Sequence, residues 1–396
     1  MNGMRCTRFV QAAAAAILAA LGVPAHAQQS VKVGLILPLT GPFASTGRQV
    51  EAAARLYLRT RCALPGGARV ELVVKDDTGV PDVTKRLAQE LVIRDKVHVL
   101  AGFGLTPLAL AAAPVATEAK VPMIVMASGT LIIPSRSPYI VRSAFTLPQN
   151  TAPIAEWAAR NGIRTVVTLV TDYAPGLDSE KTFIERFKSL GGQVLEQLRV
   201  PLRNPDYAPF LQRAKDAKPD ALFVFIPSGE GAAVMKQFAE RGLRESGTRL
   251  IGTGDLTDDD ILNGMGAPAI GTVTSHHYSA AHPSPENRSY VEAFEKANPG
   301  MRPNYMSVGG YDGMHLVCEA LRKTGAIGAA GAPDGDRLVE AMKGMSWESP
   351  RGPMSIDAAT RDVTQNVYIR RVEPVNGHLY NVEFETFENV KASGLR

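Results

Sequence analysis

The sequence predicts an α/β fold in which parallel sheets, covered on both faces by helices, make two similar lobes. Three observations carry this. Strand-length apolar runs alternate with amphipathic segments of helical spacing, the strands are apolar almost throughout, and the alternation comes as two consecutive series of similar size. A strand buried on both faces reads as a near-continuous apolar run, which marks a parallel sheet sandwiched between helices.

The first series opens with the run Val31 to Leu39, stopped by Gly41-Pro42 and followed by Val50, Ala53, Ala54 and Tyr57 at helical spacing. Strand Val70 to Val74, helix Val83 to Arg94, strand Val97 to Ala101, helix Pro107 to Glu118 and strand Pro122 to Met126 continue it. The second series starts after Pro148. It runs through helix Thr151 to Asn161, strand Thr165 to Val170, helix Ser179 to Leu190, strand Val194 to Val200, helix Pro209 to Ala217, strand Ala221 to Ile226, helix Gly231 to Arg241 and strand Leu250 to Gly252. Beyond that the pattern loosens: a strand at Thr272 to Tyr278, helices at Pro285 to Asn298, Ser307 to Thr324 and Gly335 to Lys343, and strands Met354 to Ile356, Val367 to Val372 and Leu379 to Phe384. The stretch Gly325 to Pro333, rich in alanine, glycine and proline, reads as a loop.

The N-terminus reads as a secretory signal. Arg5 and Arg8 precede the apolar run Phe9 to Leu21, and Pro24-Ala25-His26-Ala27 places small residues where signal peptidase needs them, so cleavage is expected after Ala27. The apolar run falls short of the ~20 residues that cross a bilayer, and Cys6 stands before it, where a lipoprotein cysteine does not. A mean hydropathy of −0.04 with 21% charged residues is the profile of a globular chain. The formal net charge of +4 is small and spread along the sequence, which excludes an electrostatic case for nucleic acid or anionic lipid as partner. After cleavage Cys62 and Cys318 remain in a compartment that permits disulfides, and the spacing leaves a bridge and two separate thiols equally open.

In open parallel sheets a ligand binds beyond the carboxyl ends of the strands. Those ends here are Leu39 to Gly47, Gly102 to Thr106 and Ala127 to Thr130, each supplying Ser, Thr and Gly at a helix start or strand end. Hydroxyls and free backbone N–H groups there suit an anionic group such as a carboxylate. Catalytic signatures are missing: no G-x-S-x-G, no phosphate loop, no complete G-x-G-x-x-G and no H-E-x-x-H. His276, His277 and His282 lack the spacing of a metal site, and Asp258-Asp259-Asp260 reads as the charged first turn of a helix. No enzyme activity, cofactor or metal is expected.

The segments VGLILPLTGPFASTGRQ, KDD (Lys75 to Asp77), VPMIVMASGT (Val121 to Thr130), TDYAPG (Thr171 to Gly176), GTGDLTDDD (Gly252 to Asp260) and VGGYDG (Val308 to Gly313) resemble, in order, the periplasmic leucine/isoleucine/valine-binding proteins. These are the type I solute receptors of ABC transporters. The resemblance implies two Rossmann-like lobes joined by three crossovers, residues 28–145 with 278–365 forming one and 146–277 with 366–396 the other. It implies a monomer that closes over a small carboxylate and delivers it to an inner-membrane ABC permease. The family's carboxylate-binding positions match Thr106, Ser128 and Thr130, its aromatic residue at the mouth of the second lobe matches Tyr173, and Tyr278 stands at a crossover as a further cleft residue. Three positions depart from the amino-acid-binding pattern: Thr46 replaces an aromatic residue, Pro227 a tyrosine, and Gly254 the glutamate that pairs with the ligand ammonium, leaving Asp255 beside it. Branched-chain amino acids and aromatic or other organic acids both remain open as ligands. A ligand-sensing subunit of a signalling system is the alternative function.

Overall fold

A computed structural model describes residues 30–325 and 333–394. The signal segment, its cleavage site and most of the Gly325 to Pro333 loop lie outside the described residues.

The first sheet consists of β1 (Ser30–Leu37), β2 (Arg69–Asp76), β3 (Val99–Gly102), β4 (Met123–Val125) and β5 (Ile140–Arg142), in the order β2-β1-β3-β4-β5. All its pairings are parallel. Val33, Leu35, Ile36 and Leu37 of β1 are wholly buried, each burial being worth about 1.5–3 kcal/mol. Helices α1 (Ala44–Thr60), α2 (Pro81–Ile93) and α3 (Thr106–Ala119) make the crossovers. The chain then enters the second layer through α4 (Leu147–Arg160), whose first turn is closed by a capping box between Thr146 and Gln149.

The second sheet takes β6 (Thr165–Thr171), β7 (Gln193–Val200), β8 (Ala221–Phe225), β9 (Arg249–Thr253) and β10 (Val273–His276), joined through α5 (Ala174–Ser189), α6 (Ala208–Ala217), α7 (Gly231–Glu240) and the single turn α8 (Leu262–Met265). After β10 the chain returns to the first layer, where α9 (Pro285–Ala297) and α10 (Tyr305–Thr324) pack against α1. Past α11 (Gly335–Met342) it crosses back, and β11 (Ser346–Ser349), β12 (Gly352–Ile356), β13 (Val363–Val375) and β14 (His378–Val390) complete the second sheet in the order β11-β12-β13-β10-β9-β8-β6-β7, with β14 on β13. These last strands pair antiparallel, so the second sheet is mixed. The β13–β14 turn is Asn376-Gly377, both at positive φ, the chemistry that a two-residue hairpin loop requires.

The α/β class is therefore as expected, and particulars of the fold differ from the sequence-based expectation. The second sheet is mixed rather than parallel, and β5, β11 and the single turn α8 are unforeseen. β13 and β14 extend well beyond Val367 to Val372 and Leu379 to Phe384. The run Asp258-Asp259-Asp260 is not a solvated helix turn: it follows a 3-10 turn over Gly254–Thr257, and Asp258 and Asp259 are buried. Acidic runs read as solvated only when nothing distant supplies donors; here Asn304 and Asn381 do. The cysteines do pair, Cys62 to Cys318 with Cα atoms 5.8 Å apart, tying the end of α1 to α10.

Candidate functional site

A cavity opens where the carboxyl ends of the two sheets face each other. Gly104, Leu105, Thr106, Ala127, Ser128, Gly129, Phe145 and Leu147 line it from the first sheet's side, Tyr173, Pro175, Phe225, Pro227, Ser228 and Asp255 from the second's, with Met306 from α10.

One end presents backbone donors that none of the described residues accepts. The loop Ser128 to Thr130 follows β4, and its carbonyls are all claimed from behind: Arg142 donates to those of Ser128 (3.1 Å) and Thr130 (2.7 Å), and the Leu147 N–H to that of Gly129 (2.8 Å). In a planar trans peptide the N–H points away from the preceding carbonyl. The Gly129 N–H is thus turned away from Arg142 and the Thr130 N–H away from Leu147, and neither finds an acceptor among the described residues. Thr106 starts α3, so the positive end of that helix adds to the same field. Thr106 and Thr130 join through their hydroxyls (2.7 Å), and Ser128 donates its own to the Phe103 carbonyl (2.6 Å). A side chain at Gly129 would have to displace its neighbours, because a Cβ there would lie 2.4 Å from Leu147 Cδ2 and 2.9 Å from Phe145 Cε2.

Arg142 is itself buried and paired with Asp362 at 2.8 Å. Its positive charge thus lies directly behind the Ser128 to Thr130 loop.

The walls are aromatic. Tyr173 and Phe225 lie nearly parallel with centroids 6.2 Å apart, and Phe145 stacks on His277 at 5.0 Å while meeting Tyr305 edge-on at 5.6 Å. Such surroundings suit a flat apolar ring.

At the far end stands Asp255, buried, accepting from Thr253 Oγ1 and from the Tyr305 hydroxyl, each at 2.8 Å, with His276 Nε2 3.5 Å away. Two donors leave a carboxylate with room for a third. Burial pushes the His276 imidazole down to about 4 and that of His277 well below its ordinary value, so both are neutral at physiological pH. The floor here is closed: a Cβ on Gly254 would lie 2.0 Å from Arg370 Nη2 and 2.6 Å from His276 Cδ2. No side chain fits at that position.

A family model described as periplasmic binding protein matches residues 30–378. The chain belongs to that periplasmic binding protein family. A "Leu/Ile/Val-binding protein homolog 6" of Brucella abortus (strain 2308) is 42% identical over 371 residues, covering 92% of this chain and 94% of the relative. A solute binding protein of an ABC transporter from Rhodopseudomonas palustris BisB5, solved in complex with 3,4-dihydroxy benzoic acid, is 60% identical with a TM-score of 0.88, covering 92% of this chain and 99% of that one. A second, from R. palustris with 4-hydroxybenzoate, is 38% identical with a TM-score of 0.86, covering 91% and 98%.

Of the positions expected in this periplasmic binding protein's cleft, Thr106, Ser128, Tyr173 and Asp255 line the cavity together. Thr130 stands just behind, bonded to Thr106. Thr46 is buried in the first turn of α1, and Tyr278 is buried against Tyr290; neither lines the cavity. Phe145, Phe225, Ser228 and Met306 line it without having been anticipated. Phe225 and Ser228 were accessible in principle, since the first lies at, and the second just beyond, the carboxyl end of a predicted strand. Met306 reaches the cavity only through the return of α10.

Proposed function

We propose that this periplasmic binding protein captures an aromatic carboxylate bearing a ring hydroxyl, of the hydroxybenzoate class, and hands it to an inner-membrane ABC permease. The observation that carries the reading is Gly254. Where an amino-acid receptor places the carboxylate for its ligand's ammonium, this chain has a glycine walled in by Arg370 and His276. A buried ammonium without a dedicated partner costs several kcal/mol, whereas a phenol needs one acceptor, and Asp255 has capacity for it. The ligand carboxylate sits on the N–H groups of the Ser128 to Thr130 loop and at the start of α3, and the ring lies among Tyr173, Phe225 and Phe145. The solved relatives holding 3,4-dihydroxy benzoic acid and 4-hydroxybenzoate support this ligand class.

In this reading the two bodies that close over the ligand are residues 28–145 with 278–365 and 146–277 with 366–396, with the correction that β11 and β12 pair into the second sheet and so carry residues 346–365 to the second body; the exported monomer, cleaved after Ala27, works in the periplasm without catalysing a reaction. The test is a thermal melt with 3,4-dihydroxybenzoate, 4-hydroxybenzoate and leucine in turn. A ligand at 100 times its Kd adds about 2.7 kcal/mol of stability. The aromatic acids raise the melting temperature and leucine does not; the reverse result overturns the proposal.

A further inference from the structure

Asp258 lies outside the cavity, 1% exposed, at the seam where the second layer meets the first. Its carboxylate is held from across the seam by Asn304, whose Nδ2 lies 2.9 Å from Oδ1 and 3.0 Å from Oδ2. Asn304 is the N-cap of α10, and its other amide atom, Oδ1, accepts the N–H groups of Met306 and Ser307. One side chain thus both starts the helix and grips Asp258. From the second layer Ser228, a cavity residue, bonds Asp258, and the Asp260 N–H donates to it at 3.1 Å. Alongside, Ser45 at the start of α1 donates to Asp260 at 2.8 Å, and Tyr305 next to Asn304 donates to Asp255 at 2.8 Å. Every partner of Asp258 is neutral, and among the described residues no Lys, Arg or His reaches salt-bridge distance of it.

The charged and titratable groups facing it do not replace that missing cation. Asp260 on its own loop opposes ionisation. Tyr305 from α10 is held in the neutral form by burial. Arg370 of β13 is occupied at 3.8 Å by Asp259, and His276 and His277 beyond it are neutral. A carboxylate withdrawn from water without a cation prefers to be protonated.

We propose that Asp258 and Asn304 form a proton-operated latch between the lobes, so that closure takes up a proton and ligand is held more tightly in mildly acid than in alkaline medium. The inference rests on lobe closure as the binding step. Burial, reinforced by Asp260, pushes the Asp258 carboxyl up to about 7 in the closed arrangement. An Asp258 freed to water by opening returns to about 3.9. The raised group belongs to the closed state, so the stabilisation of closure is present below about pH 7 and is lost as pH rises through it. Protonated Asp258 keeps its proton and donates a hydrogen bond to the Ser228 oxygen, reversing that contact, while still accepting from Asn304.

The test is calorimetric titration with 4-hydroxybenzoate at pH 6 and pH 8, in buffers of different ionisation enthalpy, with scattering to follow compaction. The wild-type protein binds about tenfold more weakly at pH 8 than at pH 6 and takes up close to one proton per ligand at pH 6. Asp258→Asn, which keeps the shape and both bonds but cannot titrate, shows neither effect. The proton count needs no variant, so it decides even if the substitution impairs folding: no uptake at pH 6 overturns the latch. Ligand-induced compaction with identical pH profiles in the two proteins overturns the latch alone. Binding without any compaction overturns closure and latch together. Asp258 does not line the cavity, so the same profile is expected with leucine if 4-hydroxybenzoate gives no heat.

Discussion

Asp255 spends one hydroxyl contact on Thr253 and one on Tyr305, and still faces the cavity. A ligand hydroxyl donating to it makes a hydrogen bond to a charged group, worth about 1.5–3 kcal/mol. Asp255→Asn therefore weakens 4-hydroxybenzoate binding by roughly 10- to 100-fold while benzoate, which lacks the donor, changes by less than about threefold. Titration calorimetry with the two ligands checks it, and equal losses would mark Asp255 as merely structural. At this scale the sequence was partly legible. Ser, Thr and Gly at strand ends pointed to the cavity that Thr106 and Ser128 line, because that chemistry is local. The Asp258 to Asp260 run misled, because its partners Asn304 and Asn381 lie 46 and 122 residues away in sequence.

Of the elements that the sequence concealed, β5 bears on the site. With only Ile140 to Arg142 it is too short for a periodicity to show, yet it carries the guanidinium that holds the Ser128 to Thr130 loop. Longer elements were legible for the converse reason: β1 or α1 shows a full apolar run or several turns of spacing. Arg142 and Asp362 lose water together, and removing one partner leaves the other charge buried and alone. Asp362→Asn is expected to cost about 3–5 kcal/mol, read as a lower urea midpoint. Since Arg142 also holds the carbonyls of Ser128 and Thr130, affinity for every carboxylate ligand should fall in parallel, hydroxylated or not, the opposite of the selectivity expected at Asp255. A variant with unchanged midpoint and affinity would remove Arg142 from its positioning role.

For the whole molecule, what matters is which contacts lie within a lobe and which cross between them, and the disulfide separates the two. Cys62 follows α1 and Cys318 lies in α10, two helices packed on each other in the first layer. The bridge closes a loop of 256 residues, which encloses the whole second βα series, so it restricts the unfolded chain strongly. It does not span the seam where Ser45, Asn304 and Tyr305 meet Asp260, Asp258 and Asp255, so opening and closing leave it untouched. Replacing both cysteines by serine is expected to lower stability by about 2–5 kcal/mol and to leave the Kd for 4-hydroxybenzoate within about twofold. Denaturant melts and calorimetry on the same preparation check the pair of outcomes. A large loss of affinity with the fold intact would mean that α1 and α10 shift against each other during binding, and the first layer would no longer count as one moving body.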